Sequence, residues 1–227
     1  MKKKKVYKKQ FLPYYMNLQE IKDVIIAIIV LGIIISIGYK FNIVAANIPK
    51  YFIFAAIIIL VSVFTKKIIA YSLDSGVEHE TWKFSRYGLK PHHHFKTELP
   101  MGIILSIILS IFSMGAVKFM SLLTYETRAL KTRASKRFGF YSFTEMTDWH
   151  NGIIGASGII AVLILSAIAY FVSAGDILWR FAAYYAFWNM LPISKLDGTQ
   201  IFFGSKILYA ALGIITLIFT SYAFLLH

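Results

Sequence analysis

Asn189-Met190-Leu191-Pro192-Ile193-Ser194-Lys195-Leu196-Asp197-Gly198 closes an apolar, aromatic-rich run that begins at Leu178. Pro192 lacks a backbone donor and restricts the residue before it, so a helix through Trp188 has to stop or kink there. Gly198 permits a turn that points Asp197 back toward the protein interior. A carboxylate at the end of a membrane-like segment is costly unless it meets a cation, a partner or a water-filled cavity. Asn189, eight residues upstream, is the fixed polar partner. The plainer reading is a polar loop between two helices, with Asp197 capping the next helix near Thr199.

Hydrophobic residues make up 58% of the 227-residue chain, which places it among polytopic membrane proteins with room for one compact membrane domain. The net charge of +13 is unevenly spread: six Lys residues lie in the first nine positions and twelve Lys and Arg between Lys66 and Arg137. That pattern speaks for membrane orientation and attraction to anionic lipid at the N-terminus, and against nucleic-acid recognition. With no cysteine, disulfides and thiolate metal sites are excluded. Residues 1–20 read as a basic cytoplasmic arm and 21–227 as the membrane domain, with cytoplasm-facing polar stretches at about 66–100 and 118–150.

Val24 to Tyr39 (extended to Ile21), Tyr51 to Phe64, Gly152 to Val172, Leu178 to Leu191 and Lys206 to Leu226 are apolar segments that make five spans. Ile68 to Tyr87 reads as a continuation of the second helix past Lys66 and Lys67, bent near Gly76. Gly88 to Leu99, with His92, His93 and His94, reads as an extended connector. Ser142 to Glu145 fits a capping box, and Gly155, Ser157 and Gly158 give a small-residue face for close packing. Gly102 to Gly115 is apolar over only 14 residues. If it crossed fully, the loop bearing Arg128, Lys131, Arg133, Lys136 and Arg137 would lie outside, against the positive-inside rule. A segment that dips in and returns keeps these residues cytoplasmic. The fold expected is all-α: a multi-pass cell-membrane protein of about five spanning helices plus one re-entrant segment, N-terminus cytoplasmic and C-terminus outside.

The pattern N-x-x-P-x-x-x-x-D-G after an aromatic membrane helix resembles the aspartate motif of the site-2 protease family, integral-membrane zinc proteases that cut substrates within the bilayer. The resemblance spans about residues 66 to 204. It implies a site-2 protease-like core, Asp197 as a zinc ligand and Asn189 as a contact to substrate or reacting group. Such a protease also needs H-E-x-x-H on an earlier helix, where two His at i and i+4 grip zinc and the Glu activates water.

The corresponding stretch runs Gly76-Val-Glu-His79-Glu80-Thr-Trp-Lys83 to Arg86-Tyr87-Gly88, its tail resembling archaeal members. Aligning His79-Glu80 to the motif puts Lys83 at the second His, and an ammonium cannot ligate zinc. Aligning backward from Gly88 puts Gly76, Val77 and Glu80 at the motif positions and loses the general base. Either register breaks the motif. A rebuilt zinc site would draw on Asp197, Glu80 and His79 or the His92 to His94 run, with Glu80 and Asn189 in catalytic roles. Alternatively Lys83 pairs with Asp197 or Glu80 and fills the vacated metal position with a salt bridge. The expected function is a non-catalytic homologue that binds membrane segments or peptides, with no cofactor. An active intramembrane zinc metalloprotease with substituted ligands is the alternative, and a small transporter the third, though no inverted repeat is visible.

Overall fold

The computed structural model describes residues 16–38, 47–86, 94–130, 146–172 and 177–225. Residues 1–15 of the basic arm, His92 and His93, the Lys131 to Arg137 run and the Ser142 to Glu145 box lie outside them, whereas 18–20, assigned to the arm by sequence, already belong to α1. The chain runs α1 (Leu18–Ser36), α2 (Ile48–Ser72), β1 (Ser75–Thr81), β2 (Phe84–Arg86), β3 (His94–Leu99), α3 (Met101–Phe112), β4 (Leu123–Ala129), α4 (Asp148–Phe171), α5 (Leu178–Met190), α6 (Asp197–Gly204) and α7 (Lys206–Leu225).

Helices dominate, and α2, α4 and α7 are long and apolar enough to cross a membrane. Helix α1 has 19 residues but opens with Glu20, Lys22 and Asp23. Helix α5, at 13 residues, is about 20 Å long, short of a ~30 Å hydrocarbon core. The main core lies where α1, α2, α4 and α5 meet, around Leu31, Ile58, Ile59, Ile159, Val162 and Ala182.

The all-α expectation fails between Ser72 and Leu130. Helix α2 ends at Ser72, and Asp74 adopts a positive φ of 51°, a left-handed turn that Asp tolerates better than most residues. The chain then enters β1 rather than continuing as helix. β1 pairs antiparallel with β4, with Val77 opposite Thr127, His79 opposite Tyr125 and Thr81 opposite Leu123. Alternation in β1 buries Val77 and His79 on the inner face and sends Glu78 and Glu80 to the other. On that outer face Glu78 stands opposite Glu126, and the like charges are relieved by Arg128, 3.7 Å from Glu78, and Lys195, 3.0 Å from Glu126. β2 and β3 form a second two-stranded pair.

The segment after β3 makes an out-and-back excursion. Gly102 at the start of α3 donates its N–H to the Trp82 carbonyl at 3.0 Å, and a Cβ there would stand 2.8 Å from the Leu122 carbonyl that precedes β4. The far end, at Gly115 (φ 79°), presses on the Gly38 carbonyl just past α1. Lys118 Nζ donates to the Ile35 carbonyl at 3.1 Å, and residues 119–122 lead back to β4. Phe119 seats between Trp82 and Trp188, fixing the returning limb against α5.

Helix α4 opens on Thr147, whose hydroxyl accepts the His150 N–H, so its cap is Thr147. Its glycines face inward: Gly152 meets Gly204 of α6, Gly155 the Tyr125 hydroxyl, and Gly158 the Lys66 side chain. The small-residue face is therefore used within the chain.

Candidate functional site

The segment 189–198 folds as its sequence demands. Helix α5 stops at Met190, and Leu191 before Pro192 is extended at φ −64°, ψ 133°. Ser194 takes a positive φ of 53°, and the chain turns so that Asp197 becomes the first residue of α6, after the cap position Leu196. Gly198 is required by space, since any Cβ there would overlap the Met190 carbonyl. Asp197 is 1% exposed, so the loop delivers a carboxylate to the interior as the sequence suggests.

What meets it is Lys66. The Lys66 Nζ donates to Asp197 Oδ2 at 2.5 Å, with both side chains buried. Tyr125, Gly158 and Ser62 line the path of the lysine side chain. The Tyr125 ring centroid lies 4.9 Å from Nζ, within the range of a cation–π contact. Gly158 of α4 leaves the space the lysine stem fills, and Tyr125 is pinned by its hydroxyl, which donates to the Asn151 carbonyl at 2.7 Å. Ser62, one turn before Lys66 on the same face of α2, is also buried and abuts Gly158. Asp197 Oδ1 and the Thr199 hydroxyl have no hydrogen-bond partner among the described residues.

Asn189 lies at the edge of this centre and is consumed structurally. Its Oδ1 accepts the Ser121 hydroxyl at 2.9 Å and its Nδ2 donates to the Tyr185 carbonyl at 2.9 Å. The amide thereby ties α5 to the limb returning from α3.

A second polar cluster lies beside the first. The Glu20 carboxylate accepts from the His79 backbone N–H at 3.1 Å and Nδ1 at 3.0 Å, and from Lys67 Nζ at 2.9 Å. Because a carboxylate only accepts, the neutral His79 ring carries its proton on Nδ1, and Nε2 is buried without a partner among the described residues. Burial lowers the His79 pKa from 6.5 to about 4, the Glu20 hydrogen bond opposing that shift. Lys67 also donates to the Val77 carbonyl at 3.2 Å, so this cluster rivets α1, α2 and β1 together.

The structure thus separates the residues grouped by sequence. His79 is on the inner face of β1 but is held by Glu20. Glu80 is on the outer face, where Lys83 lies 3.8 Å away, with 28% and 44% side-chain exposure for lysine and glutamate. Neither Glu80 nor Lys83 forms a hydrogen bond or ion pair with Asp197. Both H-E-x-x-H registers presuppose a helix at 76–83, and the strand there removes the i, i+4 face they need. His94 stands in β3, paired with Arg86 of β2. Among the described residues no group of three or more His, Asp and Glu converges.

Lys66 is the residue sequence reasoning passes over, because a Lys-Lys pair after an apolar run reads as the end of a span. The signal was available: Ile68, Ile69 and Ala70 follow it, which places Lys66 inside the helix, with Ser62 on the same face.

Comparison with family models, with curated proteins and with solved structures finds no match.

Proposed function

We propose that this chain is an integral membrane protein on the site-2 protease plan that has exchanged its metal for an internal ion pair, and that it binds membrane segments or peptides without cutting them. The observation that carries the reading is the Lys66–Asp197 contact, 2.5 Å long and buried. The carboxylate that the motif resemblance makes a zinc ligand has an ammonium as its counterion instead. On α2 the two positions that face it at i and i+4, where a zinc-binding helix would carry histidines, are Ser62 and Lys66. An ammonium in that place satisfies the buried aspartate and bars a second cation.

The placement in the membrane follows from the same frame. In this reading α1, α2, α4, α5 and α7 cross, α5 with the help of residues 191–196, and the α3 excursion enters from the sheet side and returns to it. The meeting of Gly102 with Leu122, and of Gly115 with Gly38 beyond the far end of α1, supports such a dip. The positive-inside rule sets the sheet side, the N-terminus and the Lys-rich segments in the cytoplasm, and the C-terminus outside.

A test is co-expression with a panel of tagged single-span proteins, followed by purification in mild detergent. The expected result is retention of intact partners with no fragments, unaffected by a chelator. Chelator-sensitive cleavage of any partner would overturn the reading in favour of an active metalloprotease.

A further inference from the structure

One cavity lies outside the polar centre, at the end of the bundle where the last turns of α4 and α7 meet the first turn of α5. It measures about 220 Å³ and is walled by Ala167, Tyr170, Phe171, Trp179, Ile218 and Tyr222, among others. The hydroxyls near it are already used. Ser166 donates to the Trp179 carbonyl at 2.7 Å, and the Tyr170 and Tyr222 hydroxyls bond to each other at 2.7 Å. The three rings hold their places by mutual edge contacts, with centroids 5.3 Å apart for Tyr170 and Trp179 and 5.6 Å for Tyr170 and Tyr222. A polar ligand would gain nothing here and would lose its hydration.

Size narrows the choice further. The volume lies below the roughly 300–1,000 Å³ of pockets that enclose compact small molecules, so it suits a segment of an extended chain whose remainder stays outside. The mouth is bordered by Phe171, 81% exposed, and Ile218, 62% exposed, on the outer faces of two helices long and apolar enough to cross a membrane. What bathes those faces in the proposed membrane placement is hydrocarbon. Trp and Tyr at helix ends mark the depth at which lipid chains meet their headgroups.

We infer that this cavity is a binding site for a segment of one hydrocarbon chain of a bilayer lipid, held between α4, α5 and α7 with its headgroup left outside at the aromatic rim. The inference rests on the membrane placement of these helices. The chain enters laterally.

The test uses the full chain in nanodiscs containing a trace of phospholipid with a diazirine on one acyl chain, irradiated and mapped by peptide mass spectrometry. At a fixed trace of labelled lipid, labelling at Trp179, Tyr222 and Ala167 is expected to exceed that at lipid-facing Phe224 about fivefold. Ala167→Phe, which fills the cavity, should cut labelling at Trp179 and Tyr222 at least fivefold and leave Phe224 unchanged. Labelling at Trp179 no stronger than that at Phe224 would mean ordinary lipid contact and would overturn the site, a result the wild-type protein can return even if the variant misfolds. Absence of labelling at Phe224 as well would instead refute the membrane placement.

Discussion

Replacing Lys66 by Met, with and without Asp197→Asn, tests whether the two side chains form one energetic unit. Two opposite charges 2.5 Å apart attract by about 7 kcal/mol at an effective dielectric constant of 20. Removing both ions from water costs several kcal/mol each, so the pair as a whole contributes little net stability. The asymmetry appears when one partner is removed. Lys66→Met leaves a carboxylate that is 1% exposed with no counterion, at a cost of about 3–5 kcal/mol. Asp197→Asn keeps an amide oxygen that can accept from Lys66 but removes the counter-charge, leaving a buried ammonium beside a neutral amide and the Tyr125 ring, at a cost of the same order. The double variant carries neither charge and should fall within about 1 kcal/mol of the parent, which makes the coupling several kcal/mol. Reversible unfolding in mixed micelles, followed by tryptophan fluorescence, gives all four stabilities. Single variants within about 0.5 kcal/mol of the parent, with additive effects, would show the two charges to be distant or solvated and would rule out a buried pair.

Gly198→Ala drives a Cβ into the Met190 carbonyl, a backbone atom that cannot swing aside, and should destabilise by about 3 kcal/mol in the same assay. A loss under 1 kcal/mol would mean that the 191–198 turn is not the rigid element described. His79 makes stability depend on acid: its folded pKa of about 4 lies below the ordinary 6.5, so the unfolded chain takes up a proton first as pH falls. Stability should be flat above pH 6.5 and fall by about 3 kcal/mol on acidification to pH 4, and His79→Gln should abolish that slope. By contrast Lys83→Ala disturbs only a partly exposed contact with Glu80 at 3.8 Å and should change stability by less than about 1 kcal/mol. A loss of 3 kcal/mol there would restore Lys83 as a partner of the buried carboxylate.

The turn at 189–198 was legible because its determinants are local. Pro192 ends a helix whatever surrounds it, and an aspartate after an aromatic membrane-like run must find a counterion. The apolar runs that become α2, α4 and α7 were legible from length alone. The strand at 75–81 was not, although Val77, His79 and Thr81 alternate with Glu78 and Glu80. A seven-residue alternation that follows a long helix without Pro competes poorly with helix continuation, and only the left-handed turn at Asp74 separates the two. The partner strand at 123–129 lies over forty residues away and decides the outcome. The identity of the cation was hidden for a related reason. The idea of a lysine in the metal position required a helix at 76–83, and once that stretch is a strand, the facing helix is α2 and the lysine on its inner face is Lys66.

If the Lys66 ammonium, and not a metal ion, neutralises Asp197, zinc has no place to bind beside that carboxylate. Elemental analysis of the protein purified from zinc-supplemented cells decides between the two cations, with Asp197→Ala as the control. Neither preparation should carry stoichiometric zinc. One zinc per chain in the parent, lost in Asp197→Ala, would show that the carboxylate is a metal ligand after all.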